Sequence, residues 1–273
     1  AWCQGYSEPG AGSDLASLKT RAEDRGDYYL VNGSKIWTSG AQYADWMFCL
    51  VRTNPDVPKH DGISFVLFSM DEPAVTDKPI VLINGESPFC QTFFDDVRVP
   101  KSDLVGQENK GWTVAKRLLQ HERSGLAALA SADTAGPLER IQPSLPLPEL
   151  ARAYCGGTSI DDSALRADLI DNEMQKRAFL LTQQRAVEEA EADTPGAATS
   201  IFNYVEAEYV KSQLELQMRI RGTRGLGGSG EAFSEEEIGR ARLWLEAKAI
   251  SIAGGSNEIQ LNIIATRVLG LPD

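Results

Sequence analysis

Tyr28-Tyr29-Leu30-Val31-Asn32-Gly33-Ser34-Lys35-Ile36-Trp37 sets two β-prone runs on either side of an Asn-Gly pair. Asn-Gly supplies the two positive φ values of a type I′ turn, so the stretch predicts a β-hairpin. Working outward, further strands are expected at 46–52, 63–70, 80–83 and 91–99, with Asn54-Pro55 and Asp71-Glu72-Pro73 as turns between them. Short strands at this spacing predict an antiparallel β-sandwich or barrel over residues 1–107.

From Asn109 the period changes. Trp112, Ala115, Leu119, Glu122, Leu126 and Leu129 recur at steps of three and four, which marks one face of a helix. Pro137, Pro143, Pro146 and Pro148 exclude a continuous helix through the segment that follows. Asp161-Asp162 is placed to cap a long helix running towards Glu191. Further helices are expected at 199–221, 234–252 and 257–269, and five glycines between Gly222 and Gly230 separate the first two. Residues 108–273 therefore read as an α-helical bundle domain, and the fold class is α+β.

The bulk properties narrow the function. A chain of 273 residues suits one large domain or two modest ones. The net charge of −12 argues against nucleic acid and anionic membrane surfaces as partners, and requires any phosphate site to be locally basic. No apolar run approaches the ~20 residues of a membrane span. Cys3, Cys49, Cys90 and Cys155 are widely spaced, with no CxxC pair and only 2 histidines. Reduced thiols and a cytoplasmic setting fit better than a zinc site or a disulfide framework. There is no secretory signal, and the opening Ala1-Trp2-Cys3 lies against a motif, which predicts that a further N-terminal region precedes it.

That motif is Gly5-Tyr6-Ser7-Glu8-Pro9-Gly10-Ala11-Gly12-Ser13-Asp14. Its glycines permit positive φ and close backbone approach, and its hydroxyls and main-chain N–H groups suit a polar cofactor. Read with Trp37-Thr38-Ser39 and Gly254-Gly255-Ser256-Asn257-Glu258-Ile259-Gln260, it resembles the flavin-dependent acyl-CoA dehydrogenases. The phrases Trp2-Cys3-Gln4-Gly5-Tyr6-Ser7-Glu8-Pro9, Ala41-Gln42-Tyr43-Ala44-Asp45-Trp46 and Phe93-Phe94-Asp95-Asp96-Val97-Arg98-Val99-Pro100 are similar to one subgroup. That subgroup contains the pimeloyl-CoA dehydrogenase large subunit and steroid side-chain acyl-CoA dehydrogenases. The likeness covers the middle and C-terminal domains of the family and lacks its N-terminal α-domain.

The resemblance implies FAD as cofactor, an acyl-CoA thioester as substrate and an electron-transfer flavoprotein as acceptor. The family's base is a glutamate, most often just before the Gly-Ser or Gly-Thr of the C-terminal motif. That position is Gly254 here. A minority place it in a Glu-Arg pair on the first helix of the C-terminal domain, which corresponds to Glu122-Arg123. Glu122 also lies on the apolar stripe, where lost hydration would raise a carboxyl pKa and strengthen the base. The bland alternatives are a buried glutamate held by an arginine, or a solvated one; Glu258 is the reserve candidate. Gly254 retains the N–H that the family uses to polarise the thioester carbonyl. Arg123 matches an arginine near the coenzyme A region.

For the flavin, the likeness assigns Tyr6 and Ser7 to the isoalloxazine edge, Gly12 and Ser13 to the turn near the pyrophosphate, and Trp37 and Ser39 to the ring. Ser256 and Glu258 correspond to contacts with the pyrophosphate or adenosine half. Without the likeness, Trp37 would be an ordinary core aromatic and Ser256 a plain helix cap. The chain departs from the family where many members carry Arg-x-x-Phe-Gly, the region that is Pro-rich here. Cross-subunit flavin binding is thereby in question, and a homo- or hetero-oligomer is expected. Two alternatives stay open beside the dehydrogenase: a non-catalytic flavin-supporting subunit of a heteromer, and an oxygen-using, oxidase-like relative.

Overall fold

The computed structural model describes residues 1–123, 140–156, 159–192 and 197–272. They fall into two compact units, Ala1–Gln120 and His121–Asp273. The strands of the first are β1 (Trp2–Gly5), β2 (Arg21–Asp24), β3 (Tyr28–Ser39), β4 (Trp46–Arg52), β5 (Ile63–Ser69), β6 (Val75–Ile80) and β7 (Phe89–Pro100). They form one curled sheet in the order β1-β4-β2-β3-β7-β6, with β5 added on β4. Most pairs are antiparallel as expected. The sheet is nonetheless mixed, since β1 runs parallel to β4 and Arg21 of β2 pairs in parallel with Arg52.

The hairpin expected at Asn32-Gly33 is not formed: β3 runs straight through it. A type I′ turn needs positive φ at both central residues, and only Gly33 has it, at 146°. The pair instead sits at a bulge against β7, where Asn32 Nδ2 donates to Asp96 Oδ1 (2.8 Å) and Asp96 N donates back to Asn32 Oδ1 (2.9 Å). A Cβ at Gly33 would lie 2.7 Å from Thr20 Cα, so the glycine serves close backbone approach. The strand expected at 80–83 is likewise displaced. β6 ends at Ile80, and its Pro79 is tolerated because β6 is an edge strand paired only with β7. Strands β1 and β2 had no counterpart in the sequence reading.

Both faces of β4 are covered. Met47, Cys49 and Val51 join Val31, Val66, Phe68, Phe94 and Val97 in one core. Leu50 joins Tyr6, Leu18, Ile63 and Phe65 in another. Helix α1 (Gly111–Arg123) closes that second core through Ala115, with Trp112, Leu118 and Leu119 packed beside it. The expected stripe is thus seated as far as Leu119, while Leu126 and Leu129 lie outside the described residues.

The second unit holds α2 (Leu147–Cys155), α3 (Ser163–Glu191), α4 (Phe202–Arg221), α5 (Glu235–Glu246) and α6 (Asn257–Ile263). Helix α2 occupies part of the Pro-rich segment, which is possible because Pro148 falls in its first turn, where a missing N–H costs nothing. Asp162 Oδ1 accepts from Ala164 N (2.8 Å) and Leu165 N (3.1 Å), capping α3 as read from the sequence. Ser234 and Glu237 form a reciprocal capping box at the start of α5. Helix α4 is the hub, because its residues enter three separate cores: Leu216 and Ile220 with α2 and α3, Tyr209 and Leu214 with Ile141, and Phe202 with Phe179.

Candidate functional site

In the β unit, the first two sequence motifs meet. Ile36 N donates to Ser7 O (2.8 Å), which lays the Tyr6–Glu8 segment along β3 just before Trp37. Glu8 and Ala11 exchange backbone hydrogen bonds of 3.1 and 3.0 Å, closing the Pro9-Gly10 turn. The Glu8 carboxylate accepts from Lys19 N (2.6 Å), Thr20 N (2.9 Å) and the buried Lys35 ammonium (2.9 Å). Burial pushes the Glu8 carboxyl up, but the Lys35 charge and these donors outweigh it and hold the group below its ordinary range.

Trp37 is no core aromatic. The residue is 53 % exposed, and its ring lies edge-on to Phe89 at 6.1 Å between centroids. Its φ of 61° is left-handed, at a register shift between Lys35 and Thr38. A bulky residue in that conformation is a backbone outlier of the sort that clusters at functional sites. The bulge leaves Thr38 fully buried while Trp37 and Ser39 both face outward. Tyr6 is buried edge-on against Phe48 and Phe65, and Ser7 is half-buried. Gly12 and Ser13 are exposed, and nothing lies within 4 Å of where a Cβ on Gly12 would sit. Beside them Asp14 is paired with Lys59 at 2.8 Å, an ion pair with no net charge. Of the residues that the resemblance assigns to a flavin in this unit, Gly12, Ser13, Trp37 and Ser39 are exposed, Ser7 is half-buried and Tyr6 is buried.

The third motif belongs to the helical unit. Gly254 and Gly255 have φ of 65° and 110°, and Ser256 Oγ accepts from Ile259 N (3.4 Å) as the N-cap of α6. The cap foreseen as the bland alternative for Ser256 is therefore present. Asn257 N donates to Ser251 O (2.9 Å), Asn257 Nδ2 donates to Glu208 Oε1 (2.5 Å), and Gln260 Nε2 reaches Gly254 O at 3.5 Å. Glu258 is exposed; its own backbone N–H and the Ser256 hydroxyl hold its carboxyl below the usual range. Glu122 and Arg123 fall on the last turn of α1, and their side chains lie outside the described residues.

Sequence reasoning missed Lys35 as part of this arrangement. The signal was there: a lysine in register with the buried Tyr29 and Val31 of the strand, and a glutamate inside the Gly-rich motif. Cys3, Cys49 and Cys90 are buried free cysteines, and Cys155 is exposed. No described helix is long and apolar enough to cross a membrane.

A curled mixed sheet followed by a helical domain is the arrangement of the middle and C-terminal domains of the acyl-CoA dehydrogenases. Residues 3–97 match the middle-domain family and residues 109–269 the C-terminal-domain family, and the chain belongs to the acyl-CoA dehydrogenases. It is 38% identical over 271 residues to acyl-CoA dehydrogenase IpdE1 of Mycobacterium tuberculosis (strain ATCC 25618 / H37Rv), covering 99% of this chain and 67% of the relative. Among solved structures it is similar to the Tcur3481-Tcur3483 steroid ACAD (TM-score 0.85, 30% identity, 100% of this chain and 68% of that one). It is also similar to the ChsE4-ChsE5 complex from Mycobacterium tuberculosis (TM-score 0.82, 32% identity, 100% and 69%).

Proposed function

We propose that the chain is the flavin-binding and catalytic part of an FAD-dependent acyl-CoA dehydrogenase that desaturates a thioester between its α and β carbons. The observation that carries this reading is the exposed, left-handed Trp37, with exposed Ser39 two residues on and the Tyr6–Ser7 segment hydrogen-bonded alongside through Ile36. Tyr6, Ser7, Trp37 and Ser39 would hold the isoalloxazine ring and Gly12 and Ser13 the pyrophosphate turn, and in the helical unit the resemblance gives Ser256 and Glu258 flavin contacts of their own. Bound FAD supplies the acceptor for the β-hydride. Glu122 removes the α-proton, the Gly254 N–H stabilises the developing enolate oxygen, and Arg123 engages coenzyme A. Gly254 supports moving the base to Glu122, since the residue there has no side chain and a φ of 65° that disfavours any replacement.

Electrons then pass to an electron-transfer flavoprotein. The names of the two solved relatives join two components each, which supports a heteromeric assembly. They also support a steroid-type acyl chain as substrate. Anaerobic titration with acyl-CoAs, followed by flavin absorption, tests the reading. Wild type should bleach; Glu122→Gln should bind flavin but lose at least about 1,000-fold in reduction rate. Retained reduction in the variant rejects Glu122 as base. Flavin that no acyl-CoA reduces favours a supporting subunit, the reading that the glycine at 254 leaves open.

A further inference from the structure

Lys35 is fully buried, and its ammonium donates to the Tyr6 carbonyl (3.0 Å) and to Glu8 Oε1 (2.9 Å). Burying two charges is costly, and well-packed apolar residues in their place are often neutral or stabilising. What an apolar pair cannot supply is direction. The Glu8–Lys35 pair fixes three pieces of chain at once: Tyr6–Glu8, β3 at Lys35, and the Lys19-Thr20 entry to β2. Lys35 is also the last residue in register with β7 before the bulge that turns Trp37 outward. A strained residue persists only where its surroundings over-determine it.

We infer that Glu8 and Lys35 are a positioning pair, which sets the spacing between the Tyr6–Ser7 edge and the Trp37–Ser39 bulge before any cofactor arrives. The inference rests on the flavin reading above. Neither residue touches the reacting atoms. They act through Tyr6, Ser7 and Trp37, so their loss should weaken cofactor binding out of proportion to stability.

The test compares the full chain with Glu8→Gln/Lys35→Met, which removes both charges together, and with Val66→Ala, which opens the other core without touching the pair. FAD affinity is measured by quenching of flavin fluorescence, and the Ile36 amide, donor to Ser7 O, by hydrogen exchange in the apoprotein. The double variant should keep its far-UV circular dichroism, exchange Ile36 faster and bind FAD at least about tenfold more weakly. Val66→Ala should lose stability with unchanged FAD affinity. If the double variant fails to fold, Glu8→Asp keeps the charge but shortens its reach, and must show the same weakening in smaller measure. An affinity within about twofold of wild type in the double variant, or in Glu8→Asp where that stands in for it, overturns the inference. So does an equal loss in Val66→Ala. A wild-type chain that binds no FAD instead overturns the functional reading, and this inference with it.

Discussion

In the β unit, the residues around Trp37 are held by partners remote in sequence. Lys35 reaches Glu8 across 27 residues, Ile36 donates to Ser7, and Asn32 grips Asp96 across 64. In the helical unit, the segment from Gly254 to Gln260 is held mostly from within: Ser256 caps Ile259, Asn257 bonds Ser251 and Gln260 reaches Gly254, with Glu208 as the long-range tie. One motif is made by tertiary register and the other by local backbone geometry. The first should break sharply when a single buried partner is removed, and the second should weaken by small steps.

Lys35→Met alone is the hardest test of that contrast. It leaves the Glu8 carboxylate buried and without its counter-ion, a change worth about 3–5 kcal/mol in urea unfolding. The pH dependence has a definite sign. Glu8 has a lowered folded pKa, so its contribution is fully present above its ordinary value of 4.5 and is lost as pH falls below that, through the folded value. Wild type should therefore lose stability on acidification through that window, and Glu8→Gln should show a shallower loss there. Equal slopes would mean that the pair does not hold the motif.

Gly254→Ala probes the local design. A side chain at φ 65° costs about 1–2 kcal/mol, and its Cβ would lie 3.3 Å from Asn203 Nδ2. Thermal unfolding reads the loss, and a neutral result would show that this loop relaxes freely.

The helix caps give a finer scale. Ser234→Ala removes a reciprocal capping box and should cost about 1 kcal/mol. Ser256→Ala breaks one long contact of 3.4 Å and should cost less, while still lowering FAD affinity if Ser256 holds the cofactor. Equal stability losses would mean that Ser256 is a structural cap of full strength.

The same contrast explains what the sequence revealed. The caps at Asp162 and Ser256 and the Gly222–Gly230 break were legible because each is decided within a few residues. Asn32-Gly33 misled because its local preference is a turn, whereas Thr20 packing on Gly33 and Asp96 bonding Asn32 make it a strand bulge. Trp37 as an outward residue was visible only through family likeness; alternation along β3 would bury it, and the bulge that exposes it depends on pairing with β7. Glu8 and Lys35 were each conspicuous in their own stretch, but their pairing needed the fold itself, since nothing in either local sequence names the other.

Glu206 offers the smallest and most selective test. It lies on α4, one turn beyond Asn203, with no hydrogen bond or ion pair among the described residues, and burial alone raises its carboxyl above the ordinary value. A raised folded pKa means that Glu206 favours the folded state most below the unfolded value and loses that benefit as pH rises through the folded one. At neutral pH its charge is a small liability. Glu206→Gln should then stabilise the chain by ~0.5 kcal/mol at pH 7, with the gain shrinking towards pH 4. Unlike Lys35→Met, it should leave Ile36 exchange untouched, because α4 belongs to the unit whose motif is held locally. A destabilised variant would mean that the carboxylate has a role in the helical unit that its unpaired state conceals.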